Sequence, residues 1–126
     1  MSDNKAQVSA VGTGKETVLL DLEAALERTM GDKEFLQELF QEFMQNAPTD
    51  IETIQSLISA KDADGVRRLA HRIKGSAANL SFLKVSAIAL LLENAGRDNN
   101  LAISEGLLKE LDAAIQETKT HISSLI

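Results

Sequence analysis

The sequence predicts an all-α fold: an antiparallel four-helix bundle with one or two additional N-terminal helices. Three observations predict it. From about Glu16 to the end, apolar residues recur at helical spacing, and no run alternates with period two for long enough to make a strand. The chain is 44% hydrophobic, yet only four of its 126 residues are aromatic, all of them Phe. Its apolar content is mainly Leu, Ile and Ala, which suits helix-on-helix packing better than a sandwich of β-branched strands. A single proline leaves the helical pattern nearly free of breakers.

Taken in order, residues 1–15 (MSDNKAQVSAVGTGK) show no sustained period and read as a flexible tail or linker, leaving residues 16–126 as one domain. Leu19, Leu22, Leu26 and Met30 give a first short helix stopped by Gly31. Asp32 caps a second, carrying Phe35, Leu36, Leu39, Phe40, Phe43 and Met44. Pro48 marks the first turn of a third, followed by Ile51, Ile54, Leu57 and Ile58. Asp62 caps a fourth, which runs through Val66, Leu69, Ile73 and Ala77 to Leu80. Ser81 caps a fifth, through Leu83, Ile88, Leu91 and Leu92, ended by Gly96. The last starts near Leu101 and uses Leu107, Leu108, Leu111, Ile115, Ile122 and Leu125. The last four form an up-down-up-down core, and the two earlier ones pack against its end or side.

Composition narrows the function. Without cysteine there is no disulfide, no thiolate zinc site and no Cys nucleophile. A formal charge of −6 repels nucleic acid and anionic lipid. The start lacks the basic-then-apolar pattern of a signal peptide, and no stretch approaches the ~20 apolar residues of a membrane span. The expectation is a cytoplasmic binding or signalling module.

Chemistry concentrates in residues 67–80, RRLAHRIKGSAANL. At ~100° per residue, Val66, Leu69, Ala70, Ile73, Ala77 and Leu80 cluster on one side, and His71 lies roughly 140° from the centre of that stripe. Lys74, Gly75 and Arg67 are its neighbours on the outer face. Gly75 in mid-helix costs ~1 kcal/mol relative to Ala, which makes sense if another molecule must approach the imidazole closely; Ala78 keeps the same path open. Arg67, Arg68, Arg72 and Lys74 form a cationic rim in an otherwise acidic chain, suited to an anion that comes and goes, such as a phosphoryl group. Attack on phosphorus needs the neutral imidazole, which adjacent cations favour. The alternative is an ordinary solvated helix face. No phosphate-binding loop or nucleotide fold is visible, so a phosphate donor and its metal must come from a partner.

The run Ala70-His71-Arg72-Ile73-Lys74-Gly75-Ser76-Ala77-Ala78-Asn79-Leu80 closely resembles the signature of the histidine phosphotransfer (HPt) family, in which His-x-x-Lys-Gly surrounds a phosphorylated histidine. Asp21 through Phe43 resembles the family's leading helices, and Leu92-Glu93-Asn94-Ala95 its following helix. The resemblance implies a phosphoryl carrier rather than an enzyme. In it His71 is the phosphoacceptor, Lys74 steadies the phosphoryl group and Gly75 admits the partner. It implies no cofactor and no metal site of its own, with Mg²⁺ supplied by the partner. Partners would be response-regulator receiver domains and a hybrid sensor histidine kinase, the chain itself being a monomer. Ser81 departs from the glycine usual in the family's link; as a serine it is expected to cap the next helix instead.

If the helices either side of Ser81 and Phe82 fold back as a hairpin, Glu93 comes level with His71. It would then accept a hydrogen bond from the ring nitrogen that is not phosphorylated; the alternative is a plain surface carboxylate. Phe35, Leu36, Leu39, Phe40, Phe43 and Met44 spread too widely for one buried stripe. The resemblance implies a docking patch among them, placed on Leu36, Phe40 and Phe43, against the alternative that all close the core. His121 has no basic cluster and reads as structural or merely exposed. Two rival functions are a receiver-binding adaptor without transfer and the excised phosphoacceptor domain of a hybrid or chemotaxis-type kinase.

Overall fold

Three aspartates begin helices, two of them, Asp32 and Asp62, where the sequence places caps. Asp21, Asp32 and Asp62 each accept the backbone N–H three residues on, at 3.0, 3.0 and 2.9 Å, satisfying donors that the first helical turn leaves free. The computed structural model describes residues 18–125; the tail expected at residues 1–15 lies outside them. Among the described residues there are five helices: α1 (Leu22–Arg28), α2 (Lys33–Ser59), α3 (Ala63–Asn79), α4 (Leu83–Arg97) and α5 (Leu101–Leu125). Helices α2 to α5 form the four-helix bundle, each packed on the next and α5 closing back on α2. Among the described residues no helix is long and apolar enough to cross a membrane.

The break expected at Pro48 does not exist: α2 is one helix of 27 residues with the proline inside it. Its buried residues explain why. Leu36, Phe40, Ala47, Ile54 and Ile58 follow one another at spacings of four and seven, a single stripe that passes the proline without a phase change. Burial of that stripe outweighs the bond that Pro48, lacking an N–H, cannot donate to Met44. Pro48 itself is exposed. Pro48→Ala should therefore raise stability by about 1–2 kcal/mol, the helix-interior gain less the lost restriction of the unfolded chain. Thermal unfolding checks this; an unchanged or lower midpoint would show that the helix is already relaxed around the ring.

Helix ends also differ from expectation. Among the described residues, four turns end in a residue at positive φ that is not glycine: Met30, Lys61, Ser81 and Asn99. In each, the next N–H bonds a carbonyl five residues back, Gly31 to Leu26, Asp62 to Leu57, Phe82 to Ala77 and Asn100 to Ala95, at 2.8–2.9 Å, the six-to-one closure of a helix C-terminus. Gly96 therefore does not end α4. It lies inside the helix and is buried. Nor does Ser81 cap α4: the N-cap is Phe82, with no side-chain cap bond. With φ at 60°, Ser81 occupies the left-handed position that glycine tolerates best, and its buried hydroxyl accepts from the Arg28 guanidinium.

The α3–α4 corner is held from several sides. Leu19 accepts from Leu83 N at 3.0 Å and Asp21 N donates to Ser81 O at 3.1 Å, so the chain entering α1 is pinned to the corner. Arg28 adds a bond to the Asn79 carbonyl at 3.1 Å. Phe82 is fully buried and meets Phe40 and Phe43 with ring centroids 5.2 and 5.1 Å apart, tilted and edge-on geometries that aromatic pairs favour.

Candidate functional site

The buried stripe of α3 is Val66, Ala70, Ile73 and Ala77, with Leu80 following at its C-cap. Docking that stripe on the bundle turns His71 outward, with 63% of its side chain exposed. Because α3 and α4 are joined by a tight corner, residues equidistant from it face one another, and Glu93 comes to lie beneath the imidazole. Glu93 Oε2 is 2.9 Å from His71 Nδ1. An ionised carboxylate can only accept, so in the neutral imidazole Nδ1 carries the proton and Nε2 keeps its lone pair free.

Glu93 is a carboxylate with only 4% of its side chain exposed, and burial on that scale demands compensation. Three donors provide it. Besides His71, Arg97 Nη2 reaches Oε2 at 3.1 Å, and Lys74 Nζ lies 2.8 Å from Oε1. The lysine pair is close but off the direction a hydrogen bond prefers, so Oε1 has no well-aligned donor. Lys74 foremost, then His71, holds the Glu93 carboxyl below its ordinary value of about 4.5, against burial, which pushes it up.

A folded-state value below the unfolded one means that the native state binds fewer protons as acid is added. The stabilisation from Glu93 is complete above about pH 4.5 and is lost as pH falls through the lower, folded value. Glu93→Gln should therefore melt with a shallower acid dependence than wild type below about pH 5. Parallel acid limbs in thermal melts of the two proteins would show that the carboxylate contributes none of it.

The other predicted residues fall as follows. A Cβ added to Gly75 would meet nothing within 4 Å, so this glycine leaves the surface next to His71 open. Ala78 is exposed and lines a shallow groove with Lys74, Ser86, Ala87 and Leu90. Arg67 and Arg68 both turn back to Asp64, at 2.9 and 3.1 Å, and Arg72 reaches across to Asp50 on α2 at 2.9 Å. The cationic rim is thus paired rather than bare. Arg67 and Arg68 share one carboxylate, as do Lys74 and Arg97, so a surplus of positive charge remains in each group. Exposed pairs of this kind are weak enough to yield to a more highly charged anion.

The docking trio needs correction. Leu36 and Phe40 are each 3% exposed and belong to the core, where Phe40 packs against the buried Phe82 ring. Phe43 is half-buried and, with Phe35, Leu39, Arg72 and Ser76, lines an open groove of about 510 Å³ between α2 and α3, into which Leu36 contributes only its edge. Phe35, 48% exposed, is the apolar surface residue that the trio left out. His121 is half-exposed near the end of α5. Sequence reasoning did not single out Arg97 or Asp64, although both stand at helical i,i+4 or i,i+3 spacing from residues it did name.

Residues 38–121 match the sequence profile of the Hpt domain family. The fold is similar to that of histidine-containing phosphotransfer protein B (HptB) from Pseudomonas aeruginosa PAO1, with a TM-score of 0.77 and 17% sequence identity over 83% of this chain and 91% of that one. No curated protein sequence matches the chain.

Proposed function

Because the chain belongs to the Hpt domain family, we propose that it serves as a phosphorelay intermediate in two-component signalling through His71. The observation that carries this reading is the pairing of an exposed imidazole with a buried carboxylate at Nδ1, beside an open Gly75. In this reading Nε2 attacks the phosphorus of a receiver's aspartyl phosphate in line. An N–P bond forms, the P–O bond breaks, and its electron pair leaves with the aspartate. No proton moves, since Nδ1–H stays on Glu93, and the positive character that the ring acquires faces that carboxylate. Lys74 steadies the phosphoryl oxygens. The reverse attack, by the aspartate of a second receiver, passes the group on.

The chain's own residues contribute position and charge, which carry most of the catalysis of phosphoryl transfer. Mg²⁺ is brought by the receiver, and the protein acts as a carrier in the cytoplasm. The receiver approaches over Gly75 and Ala78, with Phe35, Leu39 and Phe43 as its apolar footing. Incubation with a phosphorylated receiver and Mg²⁺ tests the reading. Label should pass to this chain and be lost in acid while surviving alkali, as a phosphoramidate does. No label, or an alkali-labile one, would refute it and favour an adaptor that binds without transfer.

A further inference from the structure

Glu93 is the one buried carboxylate of the described residues that serves three cationic or protic donors at once. The three are not equivalent. His71 must change its charge state when it takes up a phosphoryl group. Lys74 must leave Oε1, at least in part, if its ammonium is to reach phosphoryl oxygens beyond the ring, and because it stands 2.8 Å from a buried carboxylate that departure needs another cation to stay behind. Arg97 does neither. Its guanidinium is always protonated, stands one turn from Glu93 on the same helix at 3.1 Å, and is braced by the Asn94 side chain at 2.7 Å. It therefore travels with Glu93 rather than with α3.

Resting on the phosphorelay reading of His71, we infer that Arg97 is a positioning residue: the permanent counter-ion of Glu93, whose presence frees Lys74 for the phosphoryl group. Without it, moving Lys74 would leave a buried carboxylate facing the imidazole alone, a state with a high desolvation penalty. Lys74 would then be retained on Oε1 and the incoming phosphate would lose its cation. Arg97 thus acts through Glu93 and Lys74, touching neither phosphorus nor Nε2.

The test uses the full chain and potassium phosphoramidate, a donor that needs no receiver, with a phosphorylated receiver in a parallel arm. The rate of phosphohistidine formation is measured for wild type, Arg97→Gln, Arg97→Lys, Lys74→Gln and the Arg97→Gln/Lys74→Gln double variant. Arg97→Gln should slow acceptance about tenfold, and Lys74→Gln should cost far less in that background than in wild type, a coupling expected of groups on one network. Arg97→Lys should restore most of the rate. The guanidinium is 54% exposed, so melting should change little. A wild-type rate for Arg97→Gln, or losses that simply multiply in the double variant, overturn the inference. A wild type that takes phosphate from phosphoramidate but not from any receiver overturns the phosphorelay reading instead, and the Arg97 comparison is still decided by the first arm.

Discussion

His71→Gln is expected to abolish phosphoryl acceptance altogether while leaving the fold intact. Both halves of that expectation follow from the same geometry. The side chain is mostly exposed and its one side-chain bond is to Glu93, which a glutamine amide can still satisfy as a donor. What the amide lacks is a nucleophilic lone pair at the position of Nε2. The chain has two histidines, which supplies an internal control: His121→Gln should accept at the wild-type rate. Label on His71→Gln, or its loss from His121→Gln, would move the acceptor to α5. Circular dichroism melts of both variants should superpose on wild type to within a few degrees, as expected for surface substitutions.

The largest expected effect on stability is at Gly96. A Cβ there would stand 2.7 Å from Arg67 N, 2.8 Å from Ala63 O and 3.0 Å from Arg67 Cα. All three are backbone atoms in the first turns of α3, which cannot rotate away as a side-chain tip can. Gly96→Ala must therefore push the end of α4 off α3, at a cost of about 3 kcal/mol, toward the upper end for overpacking. That corresponds to a fall of roughly 10 °C or more in the melting midpoint for a domain of this size. Gly106→Ala on α5 is the matched control: nothing lies within 4 Å of its added Cβ, so helix propensity should make it slightly stabilising. Because Gly96 follows Glu93 by three residues and Arg67 precedes His71 by four, the same displacement opens the contact at Nδ1. Gly96→Ala should lose acceptance rate as well as stability. A normal midpoint would show that α4 has more freedom to shift than its packing suggests.

Much of this architecture was legible because helical periodicity reports which face is buried, and burial decides orientation. The outward face of His71 follows from the stripe Val66, Leu69, Ala70, Ile73, Ala77 and Leu80, of which Leu69 proves only half-buried. Glu93 followed from symmetry about the α3–α4 corner, which holds because the corner is short. Three errors share a different cause: local residue chemistry was weighed above continuity of pattern. Pro48 was read as a start although Phe40, Ala47 and Ile54 run through it at heptad spacing. Gly96 was read as a stop although its role is close approach between helices, a relation to α3 that has no local signature. Ser81 was read as a cap although its backbone is left-handed. Phe40 is misplaced because the ring it packs against, Phe82, comes from a distant corner, and pair geometry between remote segments is not written in either one; Leu36 belongs to the same buried stripe. Asp50 quiets Arg72 from another helix, which no count of charge along one helix reveals, whereas Asp64 is legible at i,i+3 and i,i+4 spacing from Arg67 and Arg68 on their own helix.

The four left-handed helix ends bear on how this domain can change over time. Non-glycine residues in that conformation cost about 1 kcal/mol each, less for asparagine, and small domains are stable by only some 5–15 kcal/mol. At Met30, Lys61 and Ser81 the chain thus carries conformational strain at its corners, and only the Ser81 corner joins the two helices that bring Glu93 to His71. Substitutions at Met30 and Lys61 can raise or lower tolerance to further mutation without altering the face around His71.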